Sequence, residues 1–265
     1  MTSAGLELTI LGSGTSTGVP VIGCRCEVCS SEHPRNDRTR CSALIRYAGK
    51  NVLIDTATDF RQQALREGIE QLDAVLFTHA HADHVHGLDD LRVFTAGRSD
   101  VIPIYGSRQT LASIARVFSY IFDNDPEAGF IPRLETREAD EPFELFDRLV
   151  TPVPLFHGSY PTQGYRIGNL AYLTDCNGIP DVSWPLLQGL DILVLDGLRL
   201  RAHSTHFNID EAVETAGRIG ARRTILTHLG HEIDHPAVSK SLPQGIELAY
   251  DGQKLTVAEN QPPSR

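Results

Sequence analysis

Apolar residues in this chain fall in short runs that stop on a polar residue, and such runs recur along its whole length. Leu6 to Leu11 alternates and then enters the Gly/Ser/Thr-rich GSGTSTG, so it reads as a strand running into a loop. Ser42 to Tyr47 and Asn51 to Asp55 read as two strands of a hairpin, joined by a turn that contains glycine. Thr58 to Glu67 reads as a helix, Asp73 to Phe77 as a short apolar strand, Val101 to Tyr105 as another strand, and Ser107 to about Tyr120 as a helix. In the second half LVTPVPLFHG, GYRIG, LAYLTD and LDILVLDG read as successive strands. NIDEAVETAGRIG places apolar residues at Ile209, Ala212, Val213, Ala216 and Ile219 with Gly220 after them, which is one helix face and its stop. RTILTHLGH is a strand ending in two histidines, and IELAYDG and KLTVAE close the chain as a hairpin.

Four of these runs deliver a histidine or an aspartate at their ends: VLFTHAHADH, VPLFHG, LAYLTD and TILTHLGH. Strand ends are where a rigid scaffold presents its working groups on loops. Core packing does not explain four such endings.

The densest case is FTHAHADHVHG, Phe77 to Gly87. His79, His81, Asp83 and His84 form H-x-H-x-D-H. Imidazoles suit zinc and iron, and carboxylates suit harder ions such as manganese. So short a run cannot turn every side chain onto one ion, so His79 and His81 fit one site and Asp83 and His84 a second. His86 has no slot in the pattern and reads as a surface or supporting residue. His157, Asp175 and His228, each just beyond an apolar strand, are the supply of further ligands, and the carboxylate of Asp175 can bridge. Two ions ~3.5–4 Å apart hold a hydroxide between them and stabilise an in-line displacement, so the pattern points to chemistry rather than to structure alone.

Composition narrows the class. The 265 residues, 41% of them hydrophobic, suit one large α/β domain or two small ones. No apolar run approaches the ~20 residues of a membrane span. The opening MTSAGLELTILGSG lacks the basic and apolar regions of a signal peptide, so a cytoplasmic protein with no membrane partner is expected. The net charge of −10 argues against a nucleic-acid partner, which leaves a basic footprint. The short Arg clusters RNDRTR, RLRAH and ARR read as solvated surface, of which one or two arginines suffice for a small phosphorylated substrate.

Three of five cysteines crowd into GCRCEVC, as Cys24, Cys26 and Cys29, a metal-binding spacing rather than a disulfide framework. Cys41 and Cys176 read as small buried hydrophobes. There is no repeat or long linker; 259–265, ENQPPSR, reads as a disordered tail. The segment from Phe118 to Asp147 fits no motif. It is open to reading as a lid, a contact in a homodimer, or ordinary surface.

H-x-H-x-D-H followed in order by His157, Asp175 and His228 resembles the metallo-β-lactamase superfamily, and the resemblance spans nearly the whole chain. It implies a four-layer αββα sandwich with metals at one edge, formed by a single domain over 1–258. Within the superfamily, GSGTSTGVPVIGCRCEVC and the later THLGH resemble the phosphoribosyl cyclic phosphate phosphodiesterases of the carbon–phosphorus lyase pathway. A weaker likeness runs to the pyrroloquinoline quinone biosynthesis B proteins. The resemblance implies a structural zinc on Cys24, Cys26, Cys29 and His231, stapling a loop of about 18–41. Three thiolates and one imidazole make a closed tetrahedral site. His33, Cys41 and His235 are rival fourth ligands. It also implies two divalent ions, manganese or zinc, on His79, His81, Asp83, His84, His157, Asp175 and His228. Asp83 and His206 are the catalytic candidates, with His206 the general acid that protonates a leaving oxygen and His203 its competitor.

The expected activity is hydrolysis of a small cyclic or diester phosphate, such as a phosphoribosyl 1,2-cyclic phosphate. A tRNA 3′-processing endonuclease, a thiol-ester hydrolase and a non-catalytic accessory protein of cofactor biosynthesis are the alternatives.

Overall fold

The computed structural model describes residues 5–96, 101–123 and 129–258. In chain order it runs β1 (Leu6–Gly12), β2 (Ser42–Tyr47), β3 (Lys50–Ile54), α1 (Phe60–Glu67), β4 (Ala74–Leu76), α2 (Ala82–Val85) and α3 (Arg92–Thr95). Then come β5 (Ile102–Gly106), α4 (Arg108–Val117), α5 (Ser119–Phe122), β6 (Leu134–Glu138), β7 (Phe143–Leu145), β8 (Arg148–His157), β9 (Tyr160–Ile167) and β10 (Leu170–Leu173). The chain ends with β11 (Ile192–Asp196), α6 (Ile209–Ile219), β12 (Arg223–Thr227), α7 (His235–Ser239), β13 (Ile246–Leu248) and β14 (Lys254–Val257).

Two sheets form, ordered β14-β1-β2-β3-β4-β5-β6 and β13-β12-β11-β10-β9-β8-β7. The closing hairpin expected of IELAYDG and KLTVAE does not form, since β13 pairs parallel with β12 and β14 antiparallel with β1, in different sheets. Side chains alternate across a strand, and β11 shows why both sheet faces must be covered. Its Ile192 and Val194 join the cluster between the sheets, while Leu193 and Leu195 join the cluster on the outer face with Ile209, Ala212, Ala216 and Ile219 of α6. On the other sheet Val52 and Ile54 of β3 point inward, and Leu53 points out to Phe60 of α1 and to Leu111 and Ile114 of α4. Helices therefore cover the two outer faces, giving the expected αββα sandwich. α6 is fixed at both ends: Asn208 and Glu211 form a reciprocal capping box and Gly220 closes it at φ 72°.

The stretch 118–147 holds two strands that the sequence pattern did not reveal. β6 edges the first sheet and β7 the second, so this stretch carries the chain from one layer to the other. LETRE on β6 is one partly buried leucine and four exposed residues, and β7 has three residues. Neither shows the period-2 apolar signal. The helix expected over Ser107 to about Tyr120 breaks at Phe118 (φ −109°, ψ 41°) into α4 and α5. The tail 259–265 lies outside the described residues. Among the described residues no helix is long and apolar enough to cross a membrane.

Strand direction places the site. β3 and β4 are parallel, as are β10, β11 and β12, and β8 lies antiparallel to β9, which lies antiparallel to β10. The C-terminal ends of β3, β4, β8, β10, β11 and β12 therefore share one edge of the sandwich.

Candidate metal centre

That edge collects Asp55, His79, His157, Asp175, Asp196 and His228, each at or just past its strand. Asp55, Asp175 and His228 sit at φ 58°, 51° and 60°, a left-handed conformation that costs a non-glycine residue free energy and clusters at functional sites. The turn swings each side chain out of the pleat and over the edge. α2, one turn long, adds Asp83 and His84 from its first residues, with His81 as its N-cap.

Three groups of ligand atoms result at this edge, each within 4.8 Å of one another: His79, His81, His157 and Asp175; Asp83, His84, Asp175 and His228; and Asp196, His206 and His228. Asp175 belongs to the first two. Its Oδ2 lies 3.7 Å from His79 Nε2 and 3.4 Å from His228 Nε2, while its Oδ1 lies 3.2 Å from His84 Nε2. Three buried atoms of the second group, Asp83 Oδ2, His84 Nε2 and His228 Nε2, make no hydrogen bond. Buried polar atoms are normally paired. Atoms that converge without pairing fit a cation between them.

The ring nitrogens facing away are held. His84 Nδ1 lies 2.7 Å from Asp55 Oδ2, and Asp55 also accepts from Thr78 N and Oγ1, each at 2.8 Å. His79 Nδ1 is 3.0 Å from Thr78 Oγ1, and His157 Nδ1 is 2.8 Å from the Thr205 carbonyl. Such partners fix tautomer and ring plane, leaving Nε2 for a metal. Electrostatics agree. Burial, with the neighbouring His84, holds His79 well below its usual pKa, so it is neutral. Burial opposes charge on His84 and His228 as well, yet Asp175 and Asp83 override it, raising His84 well above its usual range and His228 to about 9.

His206 stands beside the second group, its ring stacked on His228 at 4.7 Å and 8°. Its Nδ1 lies 2.7 Å from Asp196 Oδ2, which also accepts from Cys176 N at 2.9 Å. His203 lies further out, with its ring centroid 5.2 Å from that of His206 and its Nδ1 3.2 Å from Thr205 Oγ1. His86 is exposed and belongs to none of these groups. Asp55 and Asp196 were missed as site residues by the sequence reading. The signal existed, since NVLID and LDILVLD are apolar strands ending in aspartate like the four that were noticed.

The cysteine cluster is separate. The Sγ atoms of Cys24, Cys26 and Cys29 lie 3.4, 3.5 and 3.6 Å from His231 Nδ1, a four-residue set of the donor types that suit zinc. The Cys29 N–H, helped by neighbouring groups, lowers the Cys26 thiol to about 6, while burial pushes Cys29 up to about 11. The rivals are elsewhere: Cys41 is buried between the sheets, and His33 stacks on His235 at 6.3 Å. Leu229 N donates to the Ser13 carbonyl and Thr15 N to the Leu229 carbonyl, so the N-terminal loop grips the loop that carries His228 and His231.

Comparison with known proteins places the arrangement. The beta-lactamase superfamily domain model matches residues 50–229. A solved structure described as a new diphosphatase from the PhnP family is 46% identical, covers 94% of this chain and 97% of that one, and superposes with a TM-score of 0.88. An octanoyltransferase of Porphyromonas gingivalis is 44% identical over 96% of this chain, but the chain spans only about half, 52%, of that relative's length. Zn(2+)-bound PqqB from Methylobacterium extorquens, 24% identical with 94% and 99% of the two chains covered, shares the fold at a TM-score of 0.74. With a family model covering most of its length and a near full-length relative at 46% identity, the chain belongs to the metallo-β-lactamase superfamily.

Proposed function

We propose that this protein is a metal-dependent hydrolase of phosphate esters, acting on a small cyclic or diester phosphate such as a phosphoribosyl 1,2-cyclic phosphate. The observation that carries the reading is the pair of four-residue groups sharing Asp175. His79, His81, His157 and Asp175 would hold one divalent ion, zinc or manganese, and Asp83, His84, Asp175 and His228 another. Such ions, when bound, make water a nucleophile near neutral pH and neutralise the oxygens of a phosphoryl group. A third ion, zinc, would sit on Cys24, Cys26, Cys29 and His231 as a structural staple.

The chain's own residues supply the rest. His206 donates its Nε2 proton to the oxygen that leaves phosphorus as a hydroxide oxygen bonds to phosphorus. Asp196 accepts from Nδ1–H, orients the ring and pairs with its imidazolium form, in which Nε2 also carries a proton to give. The 46% identity to a PhnP-family diphosphatase over nearly the whole chain supports phosphorus as the electrophile. The net charge of −10 weighs against an RNA substrate.

A second reading is hydrolysis of an acyl thioester. It is favoured by the 44% identity to the octanoyltransferase, although the activity in that name belongs to a relative nearly twice as long. Assays on bis(p-nitrophenyl) phosphate, phosphoribosyl 1,2-cyclic phosphate and an octanoyl thioester, before and after chelation, test the two. Turnover of the phosphates that chelator abolishes is expected. Thioester turnover alone would replace the first reading with the second, and turnover of none would leave a metal-binding accessory role.

A further inference from the structure

Beneath the candidate centre a small polar cluster lies in the seam between the sheets. Cys41 Sγ is 3.1 Å from the Tyr172 hydroxyl, 3.3 Å from Thr227 Oγ1 and 3.6 Å from Thr174 Oγ1. All four residues are buried. Thr174 Oγ1 in turn donates to Asp175 Oδ1 at 2.8 Å. The cluster thus joins the start of β2 in one sheet to the ends of β10 and β12 in the other, directly behind the carboxylate that the two four-residue groups share.

We infer that Thr174 is a positioning residue: its buried hydroxyl, backed by Cys41, pins Oδ1 of Asp175 so that Oδ2 faces His79 and His228 together. The terminal torsion of a carboxylate is broad and nearly two-fold, so geometry alone does not choose which oxygen turns toward the two histidines. The 2.8 Å hydrogen bond from Thr174 to Oδ1 does, with His84 Nε2 3.2 Å from the same oxygen on its other side. The same bond completes the pairing of a buried oxygen that is costly to leave bare. Thr78 does the same at the end of β4, where its hydroxyl meets both Asp55 and His79. The inference rests on the reading of Asp175 as a ligand of both ions.

The test is metal binding by full-length protein. Zinc affinity is measured by competition with a chromophoric chelator, and the cobalt(II) absorption spectrum is recorded. Wild type is compared with Thr174→Val, which keeps the shape, and Thr174→Ser, which keeps the hydroxyl. Loss of a partner behind a ligand typically weakens metal binding ~10–100-fold. A loss of that order is expected in Thr174→Val, with wild-type affinity in Thr174→Ser and no change in zinc held by the cysteine set. Wild-type affinity and spectrum in Thr174→Val would overturn the inference. So would an equal loss in Thr174→Ser, because packing rather than the hydroxyl would then be the cause. Should Thr174→Val not fold, Thr174→Ala against Thr174→Ser gives the same contrast. If wild type binds zinc at the cysteine set alone, the ligand reading of Asp175 itself fails, and that is evident before any variant is compared.

Discussion

Asp196 Oδ2 lies 2.7 Å from His206 Nδ1, and Asp196 reaches that point because β11 ends there while His206 sits two residues before the capped start of α6. Two elements with their own reasons to form thus meet in one carboxylate–imidazole pair at the rim of the ligand groups. Asp196 is fully buried and His206 nearly so, so the ring's orientation is fixed by protein rather than by water.

If that pair protonates the leaving oxygen, His206→Ala slows esters with poor leaving groups, such as ribose alcohols, by ~10²–10⁴-fold. It barely slows p-nitrophenyl esters, whose leaving group departs without a proton. Asp196→Asn is expected to show the same selectivity with a smaller loss. Equal losses on both substrates would make His206 a phosphate-binding group instead. His203→Ala is the control, and a larger leaving-group effect there transfers the role.

Asp175→Ala is expected to abolish hydrolysis and lower the content of active-site metal while zinc on the cysteines is retained. Elemental analysis beside the turnover assay checks it. Full metal occupancy with near wild-type turnover would refute the shared-ligand role.

The ligand candidates were legible because each sits at the end of an apolar run, where local pattern and final position coincide. Asp55 and Asp196 end apolar strands just as Asp175 does, and Asp175 has no histidine beside it either; what distinguishes them is that they face Nδ1 of His84 and of His206 from behind, which only the fold reveals. Cys41 shows a different limit. Burial was readable from its type, and it is fully buried. Its contacts to Tyr172, Thr174 and Thr227 come from strands 131 to 186 residues away. No window of sequence contains that information. β6 and β7 escaped for a third reason, since edge strands need bury little and carry little apolar alternation.

The cysteine cluster predicts stability rather than turnover. Cys26→Ser should lose one zinc and lower the melting temperature by roughly 10 °C, the shift that ~3–4 kcal/mol gives in a chain of this size, because structural zinc binding is folding free energy. Activity per folded molecule should fall much less. Retained zinc and an unchanged melting temperature would show that the site is not structural.

His235 sets the last expectation, a loss of stability on the acid side. It is 4% exposed, and burial, aided by the charges of Arg35 and Arg38, lowers its pKa from 6.5 to about 4. The native state therefore keeps this imidazole neutral at pH values where the unfolded chain protonates it. Between pH 6.5 and 4 the unfolded chain binds more protons, so stability rises with pH across that window. The contribution is complete above the unfolded value and is lost as pH falls through the folded one. A shift of this size corresponds to up to ~3 kcal/mol. His235→Phe keeps a ring against His33 and Tyr250, which lie 6.3 and 6.2 Å away between centroids, and removes the titration. Urea unfolding of both proteins at pH 7.5 and pH 4.5 measures the difference. Wild type should lose stability relative to the variant as pH is lowered. A gap between the two that is the same at both pH values would mean that His235 is protonated equally in the folded and unfolded chains.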